Sequence, residues 1–513
     1  MPEAVAAAPG APPARWGKVI DHARCIGCHA CSTACKSENR VPLSVNRTYV
    51  KYVDVGTFPQ ARRAFQVTRC NQCEQPPCAH ICPTGAMHQR ADGIVDFDKA
   101  ICIGCKACIA ACPYDAIFIN PADHSAEKCN FCAHRIDMGL EPACVVVCPS
   151  EAILVGDLND AASGVAHLVA RTPTTVRRPE KGTRPKLFYR GAHQATLDPL
   201  AAQPPAGGQL MWSEQGSVPH QLPPGAPGPA NGAAPAVLAY DVPHRMPWDW
   251  RVSLYTWTKG IAAGAYLVPA MLILLGILAE ESALWRWATP IMAGAFLAAT
   301  GLVLIADLDH PERVTLLATR PRWNSWLARG GVIISLFGLV LALHFAGSSL
   351  AAGAGVARLL LWPGAVLAGL TAIYTAYLLA QARARDLWQN PLLVPQLLVQ
   401  AVMAGSALLL VAAPWVDPGA SAPLAAATAG AALVHLLLVA GETTLAHPTA
   451  HAALAARTMV AGRYAPVFWS GVVLMAAGVL APWIGAAAAV PALAGLLAYE
   501  HAYVQSGQSV PLA

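Results

Sequence analysis

The run Cys102-Ile-Gly-Cys105-Lys-Ala-Cys108-Ile-Ala-Ala-Cys112-Pro113 sets four cysteines at the spacing C-x2-C-x2-C-x3-C-P. Turns of that spacing can aim three thiolates at one [4Fe–4S] cube while the fourth reaches toward another. The proline after the fourth cysteine suits the first turn of a helix, so a helix is expected to open there.

Working outward, all 16 cysteines lie between Cys25 and Cys148, in four groups of four. The groups are Cys25, Cys28, Cys31, Cys35; Cys70, Cys73, Cys78, Cys82; Cys102, Cys105, Cys108, Cys112; and Cys129, Cys132, Cys144, Cys148. Structural zinc uses paired C-x2-C knuckles, and the triple C-x2-C-x2-C of groups one and three is not that pattern. Disulfides are the other alternative, but the spacing favours metal. Cys25-Ile-Gly-Cys28-His29 also fits the C-x-x-C-H pattern of haem attachment. Its cysteines already belong to a complete group, and the N-terminal residues show neither a twin-arginine pair nor an unbroken apolar core for export. The haem-attachment reading is therefore set aside. Residues 93–98 and 116–120 read as short strands of the same domain.

Residues 18 to about 190 resemble the four-cluster iron–sulfur subunit of complex molybdoenzymes, such as the polysulfide and dimethyl sulfoxide reductases. The irregular spacings C-x2-C-x4-C-x3-C-P of group two and C-x2-C-x11-C-x3-C-P of group four are that family's pattern. The resemblance implies an α+β, ferredoxin-like domain over residues 18–192 and a nested sharing of ligands. Cys25, Cys28 and Cys31 would then take Cys148, while Cys129, Cys132 and Cys144 take Cys35. Cys70, Cys73 and Cys78 would take Cys112, while Cys102, Cys105 and Cys108 take Cys82. Spacing alone leaves adjacent pairing open. Around this core, residues 1–17 read as a disordered tail. Residues 39–69 read as a solvated excursion over the cluster core. The basic stretch 171–191 reads as a dock for an acidic partner or lipid headgroups, or as a solvated tail. Residues 193–247, rich in Pro, Gly and Ala, read as a linker, partly extended over a surface.

Hydrophobic residues make up 55% of the chain and charged ones 13%, too apolar for a soluble protein of 513 residues. The excess sits in residues 248–505, where eight apolar runs occur: 254–279, 286–306, 329–348, 356–381, 392–414, 421–446, 464–483 and 485–503. Each is long enough to cross a hydrocarbon core of about 30 Å as a helix. An all-α polytopic membrane domain of about eight helices is expected. The segments YTWTKGIAAG (255–264), DLDHPER (307–313), YTAYLLAQARARDLWQNPLLVP (374–395) and GRYAPVFW (462–469) resemble the membrane subunit of polysulfide reductase and its NrfD-like relatives. The second segment departs from the usual Asp-Leu-Gly by carrying Asp309. Relatives of this kind keep cluster and membrane subunits on separate chains, and here they are fused.

The resemblance implies a quinone site at the cluster-facing end of the membrane domain, with polar groups on the first and fourth helices. The fourth-helix tyrosine falls on Tyr374. The first-helix histidine is replaced by Tyr255 and the nearby asparagine by Val252. Lys259 stands one turn beyond Tyr255 on the same face. Ionisable groups within membrane helices are costly, which marks Lys259, Asp307, Glu442 and Glu500 as functional candidates. Their plain readings are snorkelling for Lys259, capping for Asp307 and a wet helix end for Glu500, with none as ready for Glu442. His344 and His435 invite a b-haem reading, but lone histidines on different helices read as packed, hydrogen-bonded side chains.

These readings converge on an electron-transfer and quinone-reactive subunit of a membrane oxidoreductase. Four [4Fe–4S] clusters and a quinone, menaquinone or ubiquinone, are the expected cofactor and substrate, and lipid surrounds the membrane half. No nucleotide loop or pterin-binding domain is visible, so catalysis belongs to a separate subunit, by resemblance a molybdopterin enzyme. The alternatives are a hydrogenase or multihaem cytochrome as partner, or a redox-driven proton-translocating module. The net charge of +5 gives no case for nucleic acid. With eight helices, ten arginines from residue 245 onward fall on the side of the cluster domain and two, Arg286 and Arg358, on the other. The positive-inside bias then puts the cluster domain on the cytoplasmic side of the inner membrane.

Overall fold

The computed structural model describes residues 13–203, 209–210, 213–214, 236–350 and 353–513. Most of the expected N-terminal tail and most of the Pro/Gly/Ala-rich linker lie outside the described residues. The chain divides into two units: Met1–Pro247 with Ala382–Arg385 and Val510–Ala513, and Trp248–Gln381 with Asp386–Ser509.

The first unit is α+β. Strand β1 (Trp16–Asp21) is central in a four-stranded sheet, antiparallel to Ile153–Asp157 and parallel to Leu187–Arg190, which pairs with Thr174–Thr175. The basic stretch 171–191 is thus no solvated tail. It supplies two strands, and Arg177, Arg178 and Lys186 are buried. The alternation in Lys-Leu-Phe-Tyr-Arg turns Leu187 and Tyr189 into the core. The excursion 39–69 is likewise a correction. It forms the hairpin β2 (Thr48–Val55) and β3 (Arg62–Arg69), with Val50 opposite Val67. Both valines pack with Ile20, Cys31, Cys144 and Ile153 in one apolar core. Its β-branched, alternating residues fit a buried pleat better than solvent. Within the expected linker, Ala236–Tyr240 adds a third, antiparallel strand beside β2. Two small hairpins, Met87–Gln89 with Val95–Phe97 and Ile117–Ile119 with Ala126–Lys128, carry the strands expected at 93–98 and 116–120.

The cysteine loops repeat one backbone device. Gly27 and Gly104 both have φ +69°, and each is followed two residues later by a left-handed residue, His29 (φ 60°) or Lys106 (φ 59°). A Cβ on Gly27 would lie 2.3 Å from the Phe65 ring, so only glycine fits that turn. Helices α1 (Ala30–Glu38) and α3 (Ala107–Ala111) start there. The prolines after the last cysteines play the opposite part to that expected. Helix α2 (Pro77–Ile81) ends before Cys82-Pro83, and α3 ends before Cys112-Pro113. Proline cannot continue a helix, and it forces the residue before it out of the helical region. Cys82 (ψ 117°) and Cys112 (ψ 113°) are accordingly extended.

The second unit is helical. Among the described residues, seven helices are long and apolar enough to cross a membrane: Trp250–Leu274, Leu284–Ala306, Trp326–Ser349, Gly355–Gln381, Leu393–Val416, Pro418–Thr444 and Ala465–Gln508. The expected last pair is one helical run of 44 residues, twice the length of a span. That run doubles back at Gly485 (φ 59°), so that Gly471 faces Gly495 and Gly478 faces Ala492. The first and fifth helices are central, with 67% and 61% of their apolar windows buried against 28–39% for the others. They meet at glycine: a Cβ on Gly264 would lie 1.7 Å from Ala401 O, and one on Gly405 would lie 1.9 Å from Gly264 C. Gly260-Ile-Ala-Ala-Gly264 and Ala401-Val-Met-Ala-Gly405 are small-xxx-small motifs, which allow backbones to touch where lipid supplies no hydrophobic driving force.

Candidate functional site

In the first unit the cysteines regroup across the sequence. One cavity is lined by Cys25, Cys28, Cys31 and Cys148. A second is lined by Cys102, Cys105 and Cys108 together with Cys82, from the preceding group. Cys112 lies within electrostatic reach of Cys70, Cys73 and Cys78. Cys35 does the same with Cys129, Cys132 and Cys144. Asn39 Nδ2 spans this last set, 3.7 Å from both Cys35 Sγ and Cys132 Sγ. The extended Cys82 and Cys112 explain the exchange, because each leaves its helix and hands its thiol to the neighbouring set. Each quartet has the donor set of one [4Fe–4S] cube. Among the described residues no three Cys, His or carboxylate groups converge on a single metal ion.

Sequence reasoning missed the buried cations among these thiols. Arg69 Nη1 lies 2.9 Å from Cys144 Sγ, and Lys18 Nζ lies 3.8 Å from the same sulfur. Burial pushes the Cys144 thiol up, but Arg69 and Lys18 more than offset it and hold it down at about 7. Cys35, without such a close cation, is pushed up to about 12 by burial. Lys128 is fully buried, its Nζ bonded to Val95 O and, at 3.3 Å, to Cys129 O. Arg47 is held by Glu127 at 3.0 Å. Buried cations are tolerated where compensating charge is close, and the thiolates of a bound cluster would supply it. The sequence signal was adjacency, since Arg69 precedes Cys70 and Lys128 precedes Cys129. His29 of the C-x-x-C-H string packs against Tyr52 and Tyr240, ring centroids 5.3 and 5.2 Å away.

In the second unit Tyr255, Lys259 and Tyr374 come together. Lys259 does not snorkel. It is 1% exposed, and its Nζ donates to Ala372 O at 2.8 Å and to Thr375 Oγ1 at 2.7 Å. It also stands over the Tyr374 ring, 4.8 Å from the centroid. The Tyr374 ring backs onto Gly330 of the third helix, where a Cβ would clash at 2.4 Å. Tyr255 lines a small cavity with Thr375, Gln396, Gln400, Tyr499 and Glu500. Asp307 does stand at a helix end, directly after Ala306. Glu500 is no wet helix end, being only 4% exposed. Glu442 is held by Tyr499 OH (2.9 Å) and Asn390 Nδ2 (3.1 Å). His344 and His435 are packed, but neither ring makes a hydrogen bond among the described residues. His344 sits against Trp285 (4.5 Å) and His435 against Tyr499 (5.0 Å), in different aromatic surroundings.

Two families match the chain. Residues 62–158 match a 4Fe-4S dicluster domain, and residues 241–498 match the family described as polysulphide reductase, NrfD. A tetrathionate reductase subunit of Salmonella typhimurium is 41% identical over 215 residues, 40% of this chain and 82% of the relative. A polysulfide reductase polypeptide of Wolinella succinogenes is 43% identical over 177 residues, 34% of this chain and 93% of the relative. The iron–sulfur subunit of the arsenate respiratory reductase of a Shewanella species is 35% identical over 223 residues, 34% of this chain and 95% of the relative. These comparisons make the protein an electron-transferring oxidoreductase subunit with a multi-pass membrane domain. With half of its length matched at the membrane end, and reductase iron–sulfur proteins matched at the other, it belongs to the polysulphide reductase NrfD family and carries a 4Fe-4S domain on the same chain.

Proposed function

We propose that the protein conducts electrons between a separate catalytic subunit and the membrane quinone pool, over four [4Fe–4S] clusters held by all 16 cysteines. The observation that carries the reading is the set of four thiol quartets, each completed by a cysteine from another group, on one chain with an NrfD-family membrane unit. The clusters, when bound, supply one-electron redox chemistry. The chain's own residues hold the thiols apart in quartets, place Arg69, Lys18 and Lys128 beside them, and keep most of them from water. By analogy with the relatives' names, the catalytic subunit is a reductase for a sulfur oxyanion, polysulfide or a related anion, molybdopterin-dependent as the family resemblance implies.

The cluster domain on this reading spans residues 18–192 and the membrane domain 248–505. The two arms of Ala465–Gln508 count as two crossings, making eight, and the arginine bias puts the cluster domain on the cytoplasmic side. The quinone head meets Tyr255 and Tyr374, at the start of the first helix and near the end of the fourth, with Lys259 holding the two helices in register. The test is reoxidation of chemically reduced clusters by a decyl-tailed quinone, with the full chain in lipid nanodiscs. Tyr374→Phe is expected to slow it about tenfold with unchanged cluster spectra. Unchanged quinone kinetics would remove Tyr374 from the site.

A further inference from the structure

We propose that the small cavity beside Tyr255 is a proton-exchange chamber for the quinone reaction, with Glu500 as its proton-carrying carboxylate. The proposal rests on the quinone reading above and adds to it the residues that move the protons.

The cavity measures about 20 Å³, room for a water molecule and not for a quinone ring. Its wall comes from four helical segments: Tyr255 from the first helix, Thr375 from the fourth, Gln396 and Gln400 from the fifth, Tyr499 and Glu500 from the last arm. Two of these side chains are incompletely satisfied. Glu500 Oε2 and Gln400 Oε1 are buried without a hydrogen-bond partner among the described residues, and each residue is only 4% exposed. A buried acceptor left bare is unfavourable, and two acceptors on one water-sized space call for a donor between them. A water or a proton on Glu500 supplies it. Lys259 attracts Glu500 across the first and last helices while giving its own protons to Ala372 O and Thr375 Oγ1.

A polar branch leads from the cavity to the segment between the fourth and fifth helices. Tyr499 OH accepts from Gln396 Nε2 at 2.5 Å and donates to Glu442 Oε2 at 2.9 Å. Glu442 Oε1 accepts from Asn390 Nδ2, in the half-buried segment between the fourth and fifth helices. The titratable groups lining the cavity are Tyr255, Tyr499, Tyr503 and Glu500; Lys259 acts on Glu500 and Glu442 on Tyr499 from outside it, and Tyr374 and Asp307 act on Tyr255. When quinone is reduced, it takes two electrons from the reduced iron–sulfur centres and two protons. Each new quinol O–H bond forms as a proton leaves the Glu500 carboxyl, through the cavity water. The carboxylate regains its proton from the aqueous edge by way of Glu442 and Tyr499. Quinol oxidation runs the same transfers backward.

The test uses the full chain in nanodiscs, dithionite-reduced, reoxidised in a single turnover by the decyl-tailed quinone or by ferricyanide. Glu500→Gln is expected to slow the quinone reaction about a hundredfold and to flatten its pH profile. Glu500→Asp should restore most of the rate, and ferricyanide reoxidation should be unchanged in both. Quinone rates within twofold of the unmodified chain, with the same pH profile and deuterium solvent effect, would overturn the proposal. If Glu500→Gln fails to assemble, dicyclohexylcarbodiimide on the unmodified chain decides. Loss of quinone turnover in step with labelling of Glu500 supports the proposal. A labelled Glu500 with normal turnover, or no label on Glu500, overturns it. An unmodified chain that ferricyanide reoxidises and quinone does not would refute the quinone reading itself, and this proposal with it.

Discussion

Replacing Arg69 by methionine removes a buried guanidinium whose Nη1 lies 2.9 Å from Cys144 Sγ while its Nε and Nη2 make no hydrogen bond among the described residues. Its charge is therefore spent on the sulfurs around it, Cys144 first and then Cys31 and Cys129. An electron added to a cluster held through Cys144 would lie on the order of 6 Å from that charge. At an effective dielectric of about 20, Coulomb's law gives about 3 kcal/mol per added electron. That is about two decades in a one-electron equilibrium, or about 120 mV at 59 mV per decade. Lys18 remains 3.8 Å from the same sulfur and water screens part of the loss, so a fall of about 50–120 mV is expected in one cluster. The sign follows from charge, because the reduced cube is the more negative and loses its stabilising cation. The assay is a potentiometric titration followed by electron paramagnetic resonance, on the unmodified chain, Arg69→Met and Arg69→Lys. Arg69→Lys should keep most of the potential. A shift below about 20 mV in Arg69→Met, or an equal shift in all four signals, would refute the reasoning.

Iron and acid-labile sulfide, measured anaerobically, should each come to about 16 per chain, four per cube; about 12 iron, or one zinc, would break the four-cluster count. Gly264→Val should abolish a stable membrane unit, because the new side chain meets Ala401 O at the central helix crossing, whereas Gly301→Ala, with open space around it, should be near neutral. Equal thermal stability of the two variants in detergent would show that the crossing yields more easily than its geometry implies. A reporter enzyme fused after Ala513 should be active only as a cytoplasmic protein if the helices cross eight times with the arginine-rich side inside. Periplasmic activity of a fusion that still assembles its clusters would overturn that orientation.

Cysteine spacing, the apolar runs and their approximate ends were legible in the sequence because each depends on neighbours along the chain. Chain turns at C-x2-C-x2-C are local, and about 20 apolar residues suffice for a span whatever surrounds them. Gly260, Gly264 and Gly405 could also be seen, though not that they would touch. What tertiary structure decided is where segments distant in sequence converge. Cys148 joins Cys25 across more than a hundred residues, and Cys82 changes partners because the proline after it stops one helix instead of opening another. Residues 39–69 and 171–191 looked solvated through their charges, yet Lys51, Arg69, Arg177 and Lys186 are buried, because thiols and backbone carbonyls from elsewhere in the fold compensate them. The same holds in the membrane unit. Lys259 could have snorkelled as an isolated side chain, and Glu500 could have faced water at a helix end. Both are enclosed because the first, fourth, fifth and last helices close around them, and that closure is a property of packing that no single stretch of sequence carries.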